Sequence, residues 1–489
     1  MEWIRQNFHR EQSGQRPCLS IFFHSFAKLL TDDYAMSKNQ KHVAIIGGGI
    51  TGLVTAYHLS KEGIPFQLFE KTDRLGGVIQ SKQKNGFLYE TGPNSGVIGH
   101  AEVADLFDDL KDHCKLEIAN KNSAKRLIWK QGRWHALPSG IGGGLTTPLF
   151  TWKDKFGILG EPFRKKGENP NESLADLVKR RMGKSFLDYA IDPFILGIYA
   201  GDPDYIVPKY ALPKLYNLEQ KYGSFIGGAV KKRKEPKTED DKKATREIFS
   251  VEGGLERLVD ALTQVIGKEN THTHCDDLQV KKTNQGYQII RGEKTTDFTD
   301  VVSTATASAL PSLFPFLNQN QLKPITSLAY AKVTEVSIGF KKWEGIPLNA
   351  FGGLIPFKEN LDILGVLFMS TLFKNRAPKG GALLTTFVGG MRKAALADLS
   401  EPDMKNLVGK EIQKTMGLHQ FNPDLFEIAH YPKAIAQYGA DSGERLEAIA
   451  QIEQSNPGLY LAGSIRDGIG LADRIKQGRM LAHEIVKKS

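Results

Sequence analysis

The chain has 489 residues, more than one hydrophobic core usually serves, so two or three domains are expected. Its 40% hydrophobic and 25% charged residues are ordinary for a globular protein, and no apolar run is long enough for a membrane span, so any membrane contact is expected to be peripheral. The net charge of +10 comes with no basic stripe interleaved with aromatics; this argues against nucleic acid as a partner and leaves solubility, an anionic membrane surface or a polycarboxylate substrate.

Residues 1–40 precede the first patterned segment. Residues 20–30 are apolar, but acids in residues 1–16 and the lack of a small-residue cleavage site argue against a secretory signal. The segment is read as a disordered extension or a misplaced translation start with Met36 as the true one; a targeting or membrane-surface helix is the alternative.

An apolar run at 43–46 then ends in Gly47, Gly48, Gly49, Ile50, Thr51 and Gly52, where a helical pattern begins, and a second run at 66–69 ends in Glu70. Strand, glycines, helix, strand and acid in this order mark a dinucleotide site. Gly47 allows the tight turn, Gly49 lets the backbone approach a pyrophosphate, and Gly52 lets helix and strand pack closely. The helix N-terminus offers free N–H groups to phosphates, and Glu70 can accept hydrogen bonds from a ribose diol.

Residues 86–95 read as a strand entering a turn of Gly92, Pro93, Asn94 and Ser95, which either lets a ligand approach or simply ends a hairpin. An amphipathic helix is expected at 101–110, and strands at 125–129 and 133–137 around Gln131 and Gly132. Residues 173–189 and 215–230 are helical in pattern, and 191–203 mixes apolar residues with Gly197 and Gly201. The charged run at 231–247 is read as a solvated loop. A helix at 255–265, a hairpin at 276–290 and a strand at 300–304 read as a return to the dinucleotide domain. Residues 330–340 alternate as a half-buried strand does, and with 351–356, 364–370 and 382–388 they predict a mostly antiparallel sheet. A helix at 404–417 follows. Near the end, a strand closing at Ala462 and Gly463 leads to a helix opening at about Leu471, a second N-terminus able to face a ligand.

Cys18, Cys114 and Cys275 have no metal or redox spacing, and His272 and His274 are read as surface or packing residues rather than metal ligands. No nucleophile and base stand in a recognisable arrangement. An enzyme built on this chain would take its chemistry from a cofactor.

Taken together, residues 47–52, Glu70, Arg74-Leu75-Gly76-Gly77, Gly92-Pro93-Asn94-Ser95, and Ala462-Gly463 with Gly468-Ile469-Gly470-Leu471 resemble the monoamine oxidase and phytoene desaturase superfamily of flavoproteins. Residues 192–203, 223–228 and 351–390 narrow the resemblance to the protoporphyrinogen oxidases, over about 41–488. The resemblance implies an α/β with α+β fold. Its discontinuous Rossmann-like FAD domain takes 41–96, 249–304 and 426–489, and its mixed, mostly antiparallel substrate-binding domain takes 305–425. A helical, membrane-associating subdomain takes 97–230, with a charged loop at 231–248.

The same resemblance implies noncovalent FAD, held by residues 47–52, Glu70, Lys71, Val78, residues 92–95, Cys275, Tyr431, Ile469, Gly470 and Leu471. Absence of any cysteine after Cys275 speaks against a covalent flavin. A porphyrinogen would lie against Leu354, Leu367, Phe387, Gly197 and Gly201; for the first three, ordinary sheet packing is the alternative reading. The implied reaction is six-electron oxidation of protoporphyrinogen IX in heme biosynthesis, with three hydride transfers to FAD and dioxygen reduced to hydrogen peroxide. Coproporphyrinogen III is the alternative substrate; a noncovalent amine oxidase or desaturase and a non-catalytic porphyrin carrier are more remote. The implied setting is the cytoplasm, on the inner face of the cell membrane, with a downstream ferrochelatase and a homodimer as partners. Two departures stand out. Val97 replaces an arginine that binds propionate in some members, leaving Lys125, Arg126 and His113 as candidates, and Ile435-Ala436-Gln437-Tyr438 replaces an I-P-Q-Y pattern.

Overall fold

The structure is a computed structural model that describes residues 41–138, 143, 144 and 146–488. The reading of residues 1–40 lies outside the described residues. Two sheets organise the chain. The first has five parallel strands in the order Thr271–His272, Phe66–Phe69, Val43–Ile46, Asp300–Ser303 and Leu459–Leu461. Its central strand is buried on both faces, as an apolar run in a parallel sheet should be. Val43 and Ile45 pack with helices Ile50–Lys61, Glu256–Ile266 and Leu471–Lys487. Ala44 and Ile46 face the opposite layer, which includes helices Gln319–Thr326 and Ser442–Ser455.

The second sheet has seven strands in the order Leu425–Ala436, Tyr330–Phe340, Ala382–Gly389, Ile363–Leu367, Gly352–Leu354, Arg126–Lys130 and Arg133–Ala136. All neighbours are antiparallel except Gly352–Leu354 with Arg126–Lys130. Helix Glu401–Met416 covers one face, with Met404, Val408 and Ile412 against Val336, Ile338, Leu384 and Val388.

Several expectations change. The strand at 330–340 is buried almost throughout instead of half-buried, because its second face is covered too. Its Thr334 hydroxyl donates to the Ala397 carbonyl at 2.7 Å. The sheet also extends beyond 305–425, taking Leu425–Ala436 at one edge and the hairpin 126–136 at the other. Pairing partners so distant in sequence leave no local pattern. The hairpin turn has positive φ at both Gln131 and Gly132, the twist two-residue hairpins prefer. The charged segment is partly helical: Phe225–Lys234 ends in four consecutive basic residues that suit a helix C-terminus, and Glu239–Lys243 is capped by Thr238 and Asp241. His272 and His274 do not share a strand face, since the strand ends at His272 and His274 takes a left-handed φ of 54°.

Buried ion pairs join the halves. Arg376 donates to Glu90 at 2.7 Å and to Ser250 at 2.7 Å, with both charged side chains 1% exposed. Asp192, which opens helix Asp192–Tyr199, accepts from the Phe357 N–H at 2.8 Å and from Arg392 at 2.5 Å. Among the described residues no helix is long and apolar enough to cross a membrane.

Candidate active site

The glycine turn lies at the C-terminal ends of three adjacent parallel strands. Gly47 has φ +107°, and a Cβ there would stand 2.4 Å from Thr304 Oγ1. A Cβ on Gly52 would stand 2.1 Å from the Gly47 carbonyl oxygen, so the helix can start this close to the strand only with glycine. A Cβ on Gly49 would meet nothing within 4 Å, and Gly49 begins helix Ile50–Lys61 with no side chain capping its N–H groups. An open backbone face at an uncapped helix N-terminus fits a pyrophosphate. Ile50 and Thr51 are buried behind it.

Glu70 is 7% exposed and already engaged. One oxygen accepts from the Gly48 N–H at 2.8 Å, the other from the N–H and hydroxyl of Thr72 at 2.9 Å each. The acid therefore also fixes the glycine turn, a role sequence order did not suggest. Lys71 beside it is exposed. The Cys275 N–H donates to the Glu70 carbonyl at 2.9 Å, which brings Cys275 to the same end of the sheet. Arg74 folds its loop by donating to the Leu75, Ile79 and Gly77 carbonyls, and the Gly76 N–H reaches the Gly48 carbonyl at 2.8 Å.

Beyond that loop, Val78 is 57% exposed. A Cβ on Gly92 would stand 2.0 Å from the Val78 carbonyl oxygen and 3.7 Å from the Tyr431 hydroxyl, which donates to the Thr91 carbonyl. Val78, Gly92 and Tyr431 thus meet. Pro93 and Ser95 are half-buried beside them. Asn94 is buried, donates to the Gly92 carbonyl at 3.1 Å and to Glu335 at 2.8 Å, and leaves its Oδ1 unpartnered. The second helix N-terminus is ordered by Asp473, which accepts from the Gly470 N–H at 3.2 Å and lies 3.0 Å from the His100 ring. Burial pushes this carboxyl up, but these hydrogen bonds hold it below the usual range. Ile469 and Leu471 flank Gly470 half-buried, and a Cβ on Gly478, midway along the same helix, would stand 2.7 Å from the Thr51 carbonyl oxygen, so this helix packs closely on the first turn of helix Ile50–Lys61.

The other face of the seven-stranded sheet, opposite helix Glu401–Met416, looks onto this region. In each of three strands one residue alone is not buried: Leu354 in Gly352–Leu354, Leu367 in Ile363–Leu367 and Phe387 in Ala382–Gly389. Register puts all three on one face with Glu335, Val333 and Tyr431: Glu335 lies opposite Phe387, Val333 opposite Tyr431, and Leu367 opposite Thr385. Gly197 faces Leu354, whose Cδ2 lies 2.5 Å from where a Cβ would be. Gly201, by contrast, is buried against Gln437 and serves packing. Arg126 pairs with Gly352 beside Leu367 and places its guanidinium 5.7 Å from the Phe351 ring centre, at the rim of the same face. Lys125, by register one residue off that face, and His113 are exposed.

The family described as flavin containing amine oxidoreductase matches residues 50–485. The chain belongs to this family. It is a flavoenzyme, an oxidoreductase whose redox chemistry resides in a flavin. It is 31% identical over 476 residues to the mitochondrial protoporphyrinogen oxidase of Nicotiana tabacum, covering 90% of this chain and 93% of that one. The coproporphyrinogen III oxidase of Bacillus subtilis is 26% identical, with 91% and 97% covered. A crystal structure from Exiguobacterium sp. 255-15 superposes with a TM-score of 0.77 at 23% identity, over 92% of this chain and 99% of that one, and shares the fold.

Two buried charged residues of this flavoenzyme escaped sequence reasoning. Arg376 sits in an R-A-P stretch whose ion pair with Glu90 has no local signature. Glu335 lies in an alternating strand, where a carboxylate reads as facing water. Its burial instead holds the carboxyl well above the usual range; the Asn94 hydrogen bond opposes that rise and the nearby Glu90 charge adds to it.

Proposed function

We propose that the chain oxidises protoporphyrinogen IX to protoporphyrin IX, removing six electrons in three two-electron steps. A noncovalently held FAD would supply the hydride acceptor, with dioxygen taking the electrons on to hydrogen peroxide. Gly49 and the N–H groups of helix Ile50–Lys61 would receive the pyrophosphate, Glu70 the ribose and Cys275 the adenine side. Val78, residues 92–95, Tyr431 and Ile469 to Leu471 would surround the flavin end.

The observation that carries the substrate reading is the single apolar opening in each of three adjacent strands. Leu354, Leu367 and Phe387 offer a flat macrocycle a surface that excludes water, and Arg126 at the rim offers a propionate a partner. One arginine at the rim favours a substrate with two propionates over coproporphyrinogen III with four. The test mixes purified flavin-loaded protein anaerobically with each porphyrinogen, then admits air. Flavin bleaching followed by porphyrin fluorescence is expected, faster with protoporphyrinogen IX. No fluorescence from either substrate would sink the reading; faster turnover of coproporphyrinogen would change only the substrate.

A membrane surface is the proposed setting. Trp152, Phe156 and Leu159 occupy one side of helix Trp152–Leu159 and are 62%, 66% and 68% exposed, and Phe163 follows at 91%. Lys153, Lys155, Arg164, Lys165 and Lys166 adjoin them in sequence, with the Lys155 Nζ 4.6 Å from the Trp152 ring centre. Apolar side chains flanked by cations suit an anionic bilayer surface. Sedimentation with vesicles containing anionic lipid should lose binding in Trp152→Ser/Phe156→Ser.

A further inference from the structure

Among the described residues Glu335 has no counter-ion, in a cleft where, on the porphyrinogen reading, positive charge must develop. It lies directly opposite Phe387, so its Cβ stands about 5 Å from that of a residue lining the apolar opening. Its one hydrogen-bond donor among the described residues is the Asn94 amide at 2.8 Å, and no described cation contributes to its surroundings. The charged groups on the elements packed around it are committed elsewhere. Glu90 is paired with Arg376, and Asp192 with Arg392. On the neighbouring strand Glu427 is paired with Lys84, His430 turns to Thr334 on the opposite face, Lys433 reaches Ser308, and the Tyr431 hydroxyl is spent on Thr91. From the helix at 192–199, the Tyr199 hydroxyl donates to the Ala211 carbonyl.

We propose that the Glu335 carboxylate stabilises the cation that each hydride departure leaves on the macrocycle and accepts the proton that neutralises it. The inference rests on the porphyrinogen reading. In each step a methylene C–H bond breaks and the hydrogen leaves with its electron pair, so the ring becomes a cation. A second bond to hydrogen then breaks, its electrons stay with the ring, and the proton passes to a Glu335 oxygen and on to solvent. Across three steps the substrate loses three hydrides and three protons, two from pyrrole nitrogens and one from the fourth methylene bridge. Burial without a partner disfavours the charged carboxyl in the unloaded cleft, and a cationic ring beside it supplies the missing countercharge. A carboxyl displaced toward neutrality is also better matched to general-base work than an ordinary one.

The experiment is anaerobic single-turnover mixing of flavin-loaded protein with protoporphyrinogen IX, following flavin bleaching across pH. The wild-type rate should rise with pH as Glu335 ionises. Glu335→Gln should be slower by about 100-fold per bound flavin and should lose that rise. Glu335→Asp should be intermediate and keep it. An infrared band of a neutral carboxyl in the substrate-free protein should vanish in Glu335→Gln. A Glu335→Gln protein with the wild-type rate and pH profile overturns the proposal, as does one that loses stability or flavin content while its rate per bound flavin is unchanged. Should Glu335→Gln fail to fold, a Glu335→Asp protein whose pH profile matches the wild type in rate and shape overturns it equally. Wild-type protein bleached by neither porphyrinogen would instead defeat the substrate reading.

Discussion

Glu90 and Glu335 are near enough for their charges to interact and are both buried, at 1% and 3% exposure, yet the fold treats them in opposite ways. Glu90 accepts from Arg376 at 2.7 Å, from the Leu255 N–H at 3.1 Å and from Ser81 at 2.5 Å. Glu335 has the Asn94 amide alone. A carboxylate taken out of water costs several kcal/mol unless charge and hydrogen bonds replace its solvent. At Glu90 that replacement ties together distant stretches of chain, because Arg376 comes from the loop before strand Ala382–Gly389, Ser81 from the start of the hairpin 81–90, and Leu255 from the turn before helix Glu256–Ile266. At Glu335, beside the apolar opening, it is missing. The same chemical group is architecture where its partners are complete and an available base where they are not.

The contrast breaks most visibly at Arg376. Arg376→Met strands the Glu90 charge and should destabilise the flavin-loaded protein by about 3–5 kcal/mol, read as a shift in denaturant midpoint. Adding Glu90→Gln to that variant removes the stranded charge, and the pair should recover well over half of the loss. Were the double variant as unstable as the single, the ion pair would be incidental to the packing around it.

Legibility followed the range of each interaction. The opening unit of the parallel sheet was readable because its two strands, the turn at Gly47 and the acid at Glu70 fall within thirty residues of one another. Strand Leu425–Ala436 was missed and the hairpin 126–136 was assigned to another subdomain, because both are defined by partners far away in sequence. In the site, a local reading of Leu354, Leu367 and Phe387 gives core packing, and only the family likeness pointed to the cleft. Their shared opening depends on register across three strands. Gly201 carries the same likeness but packs on Gln437, so motif membership alone does not place a residue at a surface. Glu335 was hidden by its own strand: alternation places a carboxylate on the water side, and nothing within 330–340 tells that a second layer covers that side.

The comparison sharpens when pH is varied. The native Glu335 carboxyl lies well above its usual range, chiefly through burial, whereas the unfolded chain ionises near the ordinary value of about 4.3. Below that value both states hold the proton, so wild type and Glu335→Gln should be about equally stable. As pH rises, the unfolded state loses its proton first, and wild type should fall behind Glu335→Gln by up to about 1.4 kcal/mol per pH unit until the native carboxyl also ionises. Paired denaturation curves from about pH 4 to 8 measure the gap. A gap that stays flat would mean Glu335 is charged and compensated in the native state, like Glu90.

The smallest effect belongs to Asn94, the single donor that Glu335 keeps. Its amide holds the carboxyl down against burial, so Asn94→Ala should raise the Glu335 carboxyl further. At low pH, where Glu335 is neutral in both states, the variant should cost only an ordinary hydrogen bond, about 1 kcal/mol. That cost should grow once the pH passes the point where the native carboxyl would have ionised, since the amide stabilises the ionised form. In a Glu335→Gln background the growth should disappear, while the cost at low pH remains. Stability measured on the four proteins of this cycle, at low and high pH, separates the Asn94 hydrogen bond to the charge from its bond to the Gly92 carbonyl. Growth that survives in the Gln background would assign the pH dependence to another group in the cleft and leave Glu335 uncharged throughout.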